Sequence, residues 1–125
     1  MKRVLNIGQC GMDHASIRHV IESQFEAEVV AAHDAPSALD LLRSGAFDLV
    51  LVNRVLDADG TDGVEIVEQM KADPALSAIP VMLITNYLEH QERAVDAGAE
   101  PGFGKLGLDS PETRQRLEAF LCHKQ

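Results

Sequence analysis

Short apolar runs and helically spaced apolar positions alternate five times along this chain. Residues 4–7 are a run of the first kind, followed by the loop Gly8-Gln9-Cys10-Gly11. Ile17, Val20, Ile21 and Phe25 then recur three and four residues apart, the spacing of one helix face. Residues 28–32 predict a second strand. Asp34 is placed to cap a helix with Pro36 in its first turn, and Ala38, Leu41 and Leu42 line its inner side. Residues 49–52 are the most apolar strand, and Val64, Val67 and Met70 mark a third helix that stops before Pro74. A fourth strand, 81–84, starts after Pro80 and leads into Thr85. Ala94, Val95 and Ala97 predict a short polar helix ended by Gly98, and a weak fifth strand is expected near 102–105. Ser110 before Pro111 opens a last helix with Leu117, Phe120 and Leu121 as its buried stripe.

Five strand–helix units without a long linker or internal repeat predict one doubly wound α/β domain over residues 1–125. The strands are continuously apolar rather than alternating, as in a parallel sheet covered on both faces. In such a sheet ligands bind beyond the C-terminal ends of the strands. Asn53 stands at that edge, closing the run Phe47-Asp48-Leu49-Val50-Leu51-Val52-Asn53. A carboxylate there would serve as nucleophile or metal ligand; an amide does neither to a useful degree.

Charge narrows the choice of partners. The net charge is −9 and no segment is basic, so direct contact with nucleic acid or an anionic membrane is not expected, and a basic protein surface is favoured. Cys10 and Cys122 form no CxxC pair and read as free thiols in a reducing compartment. The apolar stretch after Met1-Lys2-Arg3 is shorter than the ~7–15 residues of a signal peptide, and no run approaches the ~18 of a membrane span. A cytoplasmic location is therefore expected. His14, His19, His33, His90 and His123 lack ligand spacing, and the Gly8–Gly11 loop matches neither GxGxxG nor a P-loop with its lysine.

Three segments carry a family resemblance: 47–53 followed by Asp62-Gly63-Val64-Glu65, the passage Lys71 to Thr85 with its Asp73-Pro74-Ala75-Leu76 and Ile79-Pro80-Val81, and Ala97-Gly98-Ala99 through Lys105. In order and spacing they resemble the receiver domain of response regulators across essentially the whole chain. The resemblance implies a CheY-like, flavodoxin-like fold of five parallel strands ordered 2-1-3-4-5, a role in two-component or phosphorelay signalling, and no enzymatic activity of its own. It also implies a site. An aspartate ending the third strand accepts a phosphoryl group from a histidine kinase. Two acids after the first strand, together with that aspartate, hold magnesium. A Thr or Ser and a Lys ending strands four and five contact the phosphoryl oxygens.

Carried onto this chain, half of that site is absent. The acceptor position is Asn53, and the acidic pair falls at Gly8 and Gln9, or at Gln9 and Cys10. Without those three carboxylates, magnesium is not expected. Thr85 and Lys105 are retained. The aromatic switch position is Gly102, with Phe103 one place later and so expected on the opposite side of the strand. Leu106 follows the lysine where the family usually has proline. Lys105, deprived of its carboxylate, is expected to pair with the Asn53 carbonyl or reach solvent, and Thr85 either keeps its signalling role or caps the next loop.

Asp57, Asp59 and Asp62 lie on a loop longer than the family's, with Arg54 beside it. They read as a solvated turn capping the third helix, with a cation site or a relocated phosphoacceptor as lesser alternatives. An EF-hand is not matched, because Asp62 stands where its glycine belongs. The expectation is thus a degenerate receiver without cofactor that signals through protein contacts. Its partner would be a histidine kinase, phosphotransfer or output protein, engaged on the face of helix 4, strand 5 and helix 5, where dimerisation is also open. The alternatives are an active phosphorelay receiver using Asp57, Asp59 and Asp62, and a small-molecule module in the pocket between Gly8, Gln9, Asn53, Thr85 and Lys105.

Overall fold

The computed structural model describes residues 1–124. Five parallel strands form one sheet: β1 Lys2–Ile7, β2 Ala27–Ala32, β3 Leu49–Asn53, β4 Val81–Ile84 and β5 Glu100–Phe103, in the order β2-β1-β3-β4-β5. Five helices connect and cover them: α1 Gly11–Gln24, α2 Ala35–Ser44, α3 Gly63–Ala72, α4 Leu88–Asp96 and α5 Pro111–Glu118. This is the doubly wound arrangement that the alternation predicts, in the flavodoxin-like strand order that the resemblance implies.

Strand side chains divide between two cores because successive residues point to opposite faces. Leu5, Ile7, Val50, Val52, Val81 and Leu83 pack under α2, α3 and α4 with Leu42, Val67 and Ala94. Val4, Leu49, Leu51, Met82 and Ile84 pack under α1 and α5 with Ile17, Ile21 and Leu117. Truncating one of these fully buried leucines or isoleucines to alanine would cost roughly 2–5 kcal/mol.

Helix starts follow the local chemistry. The Asp34 carboxylate accepts from the Ser37 N–H at 2.9 Å, the Asp62 carboxylate from Val64 at 3.0 Å, and the Ser110 hydroxyl from Thr113 at 3.2 Å. Each cap is worth about 1 kcal/mol.

The end of the chain departs from the sequence pattern. β5 covers Glu100–Phe103 rather than 102–105, and Lys105 lies beyond it in a single 3-10 turn, Lys105–Gly107. The cause is a bulge: Met82 pairs with Glu100 and Ile84 with Phe103, so Pro101 and Gly102 together face Leu83. Proline and glycine at those places are what a bulge tolerates and a regular strand does not. In α4 only Ala94 is fully buried, whereas Val95 remains 42% exposed and Ala97 is already past the helix end.

Candidate functional site

The C-terminal strand ends gather Gly8, Gln9, Asn53 and Thr85 along one edge. Asn53 pairs with Ile84 in register, which sets it beside Thr85, and β1 lies on its other side. The first half of this edge is closed by the chain's own atoms. Asn53 Nδ2 donates to the Gly8 carbonyl at 3.0 Å, and the Asp57 N–H donates to the same oxygen at 2.9 Å. Both lone pairs of that carbonyl are therefore engaged. Leu56 lies fully buried over Gly8, so a Cβ there would run into the leucine Cγ, and the Gly8 backbone at φ 77° disfavours any side chain.

Gln9 is only 5% exposed, and neither its amide nitrogen nor its amide oxygen has a hydrogen-bond partner among the described residues. Asn6, three residues earlier on β1, donates from its amide nitrogen to His14 Nδ1 at 3.1 Å. Burial and the nearby Arg18 charge hold the His14 ring below the usual histidine pKa.

Magnesium does not fit this donor set. Gly8 offers no side chain, Gln9 offers a neutral amide, and Asn53 directs an N–H donor inward. A hard divalent cation needs anionic oxygen in their place.

Lys105 neither meets the Asn53 carbonyl nor runs free, as the sequence led us to expect. Its ammonium pairs with the Asp13 carboxylate at 2.7 Å, in the first turn of α1. The hydrogen bond from Lys105 is the main reason that Asp13 sits below the ordinary aspartate pKa, against an opposing effect of burial and with help from Cys10 and the lysine charge. Both side chains are more than a third exposed, so the pair contributes less than about 1 kcal/mol. Asp13 was not a candidate from the sequence. Its position, five residues beyond Gly8 on a helix rather than a strand end, gave no signal that it would face a lysine 92 residues away.

The acidic loop disperses its three carboxylates. Asp59 accepts from the Thr61 N–H and hydroxyl at 3.0 and 2.7 Å. Asp62 caps α3 and pairs with Arg93 of α4 at 2.7 Å. Burial alone would raise the Asp62 pKa, but Arg93, the Val64 N–H and the nearby Arg54 charge together pull it below the ordinary value. Asp57 is exposed and contributes only its backbone N–H. Among the described residues no three acidic, histidine or cysteine side chains form a group able to hold a metal ion.

The second half of the edge, around Thr85 and β5, is organised differently. Thr85 is buried and its hydroxyl accepts from the Tyr87 N–H at 3.2 Å, the loop-capping arrangement. Gln91 of α4 spans the bulge: its Nε2 donates to the Leu83 and Thr85 carbonyls at 2.9 and 3.2 Å, and its Oε1 accepts from the Gly102 N–H at 2.9 Å. Arg116 of α5 donates to the Gly102 carbonyl. A Cβ at residue 102 would collide with the Leu83 carbonyl, so an aromatic ring has no room at that switch position in this backbone. Phe103 is buried instead in the core under α1 and α5, on the side that strand alternation assigns to it. Sequence reading missed Gln91, a polar residue on a polar helix whose role appears only when the bulge is seen.

An open groove of about 590 Å³ runs between α4, β5 and the Lys105–Gly107 turn, bordered by Leu88, Val95, Pro101 and Leu106. A smaller one, about 410 Å³, lies between α1 and the same turn beside Asp13 and Lys105.

With this geometry established, known proteins provide the frame. The response regulator receiver domain model matches residues 12–106. The signal receiver domain of a DNA-binding response regulator protein (merR) from Colwellia psychrerythraea 34H is 27% identical, with a TM-score of 0.77 over 94% of this chain and 99% of that one. The chemotaxis protein CheY4 of Vibrio cholerae superposes with a TM-score of 0.76 at 20% identity, over 97% and 99% of the two chains. NtrX from Brucella abortus, also 20% identical with a TM-score of 0.76, is matched over 94% of this chain but 27% of its own length.

Proposed function

The chain belongs to the response regulator receiver domain family, and from that membership we propose that it signals without being phosphorylated at the usual position. Receiver domains act in two-component systems through kinases and output domains, and this chain shares their fold. The finer reading rests on one observation: Asn53 and the Asp57 N–H both donate into the Gly8 carbonyl, filling with internal hydrogen bonds the place where acceptor and metal would meet. Gly8, Gln9 and Asn53 carry no carboxylate, and Lys105 is committed to Asp13.

The protein then works by binding a kinase, phosphotransfer or output protein on the face of α4, β5 and α5, without magnesium and without catalysis, in the cytoplasm. No helix among the described residues is long and apolar enough to cross a membrane. Neither alternative gains support: Asp59 and Asp62 are engaged locally, and the pocket between Gly8 and Asn53 is bridged by hydrogen bonds.

The test is a titration of the protein with magnesium and beryllofluoride, following amide shifts. No saturable change is expected at Asn53 or Thr85; saturable shifts centred there would overturn the reading. Asn53→Asp provides a second arm. It sets a carboxylate against the Gly8 carbonyl, so mass spectrometry after acetyl phosphate treatment should find no phosphorylated protein.

A further inference from the structure

β2 ends the sheet on the side away from β5, so one side of its backbone has no neighbouring strand. The Lys2 and Gly8 N–H groups donate to the Glu26 and Ala32 carbonyls at 3.1 and 2.8 Å, so alternate residues of this strand face β1. Ala27, Val29 and Ala31 therefore turn their backbone groups outward. An edge of this kind is a template for another strand.

The chain covers most of that edge itself. Residues 122–124, beyond α5, run antiparallel beside Phe25: the Glu26 N–H donates to the Cys122 carbonyl at 2.8 Å and the Lys124 N–H to the Gln24 carbonyl at 2.9 Å. The His123 ring stacks on Phe25 at 5.0 Å. The Ala27 N–H is taken by the Phe25 carbonyl at 2.9 Å. The Val29 N–H is held by a side chain instead. Glu22, in the last turn of α1, accepts from it through Oε2 at 2.9 Å, while its Oε1 accepts from Arg18 at 3.1 Å. Burial alone would raise the Glu22 pKa, but the Val29 N–H, Arg18 and the nearby His14 charge hold it below the ordinary value.

We propose that Glu22 keeps the β2 edge closed, and that without its carboxylate two copies of this chain join edge to edge, antiparallel about Val29.

The strand is complementary to itself. A two-fold axis at Val29 sets Val29 against Val29, Ala27 against Ala31, and Glu28 against Val30 of the second copy. All three outward residues of each copy then exchange N–H and C=O groups. No like charges stand opposite one another, and Glu28 is already paired with Arg3 of β1 at 3.8 Å. The segment beside Phe25 confines the pairing to residues 27–31, and a charge of −9 on each copy works against it. Against those two restraints the balance turns on the Val29 N–H of each copy, and Glu22 occupies both.

The experiment compares the full chain with Glu22→Ala, Glu22→Gln and the double variant Glu22→Ala with Ala31→Pro, by sedimentation and amide hydrogen exchange. Glu22→Ala should self-associate about tenfold more strongly than wild type, since each pair gains two freed N–H groups. Exchange at Val29 and Ala31 should then slow as concentration rises. Glu22→Gln keeps an amide oxygen for the Val29 N–H and should behave as wild type. Ala31→Pro removes an outward N–H without touching the β1 ladder, so the double variant should return to the wild-type level. A folded Glu22→Ala that does not associate, association that survives Ala31→Pro, equal association of Glu22→Gln, or protection on another surface would overturn the proposal. The wild-type chain supplies a test free of any folding defect. Its Val29 amide should exchange more slowly than that of Ala31, and equal rates would show that Glu22 does not hold the edge.

Discussion

The two halves of the strand-end edge began from the same architecture and have been finished in opposite ways. Between β1 and β3 the loop after Asn53 folds inward, Leu56 covers Gly8, and backbone and amide donors fill one carbonyl. Between β4 and β5 a bulge pushes the strand outward, Gln91 and Arg116 tie down its polar groups, and an apolar groove stays open beside it. The first half spends its hydrogen bonds on closing a site; the second spends them on holding one open. Buried polar groups are mostly satisfied in both places, the Gln9 amide being an exception in the first, and where the partner atoms come from decides whether space remains.

Breaking the closed half should have the largest effect. Gly8→Asp returns a carboxylate to the acidic-pair position but places a side chain at positive φ against Leu56. A loss of roughly 2–4 kcal/mol in urea-induced unfolding is expected. Wild-type stability together with magnesium binding would show that the half is open after all.

Breaking the open half comes next. Gln91→Ala removes a donor to the Leu83 and Thr85 carbonyls and the acceptor for the Gly102 N–H, at an expected cost of roughly 1–3 kcal/mol. Hydrogen exchange should accelerate at Gly102 and leave Asn53 unchanged. Acceleration spreading to Asn53 would mean that the two halves are one cooperative unit.

A smaller effect of opposite sign is expected at Gln9. Its buried, unpartnered amide makes Gln9→Leu stabilising by about 1 kcal/mol. A destabilised variant would indicate that the amide is satisfied in solution, and that this half is less finished than its hydrogen bonds indicate.

The smallest effect belongs to the Asp13–Lys105 pair, which bridges α1 to the turn beyond β5. Because the folded Asp13 pKa is depressed, its contribution is present above the unfolded value of about 4 and is lost as pH falls below that. Asp13→Asn should therefore cost less than about 1 kcal/mol at neutral pH. The gap to wild type in urea titrations should close in acid. A gap that persists at low pH would point to packing rather than charge.

Much of this was legible in order along the chain. Apolar runs of four or five residues, Pro80 before the fourth strand, and Asp34, Asp62 and Ser110 at helix starts act through neighbours a few residues away, and such local signals survive in a linear pattern. That Asn53 ends the third strand and that Gly8 and Gln9 follow the first were equally readable, because residue identity at strand ends is local.

What the pattern could not supply was whatever depends on two distant segments meeting. The fifth strand was placed late because Pro101 and Gly102 share one partner, which only the ladder with β4 reveals. Lys105 found Asp13 rather than Asn53 because the 3-10 turn swings it toward α1. Gln91 looks like solvent-facing polarity until the two strands give it four backbone partners, at Leu83, Thr85, Gly102 and Phe103. The sequence by itself determined that this chain folds as a receiver and carries Gly8, Gln9 and Asn53 at its strand ends, since backbone propensity, burial pattern and side-chain identity are local. Only the tertiary structure decided that one end of the edge closes on itself and the other stays open, since that depends on hydrogen bonds between groups far apart in sequence.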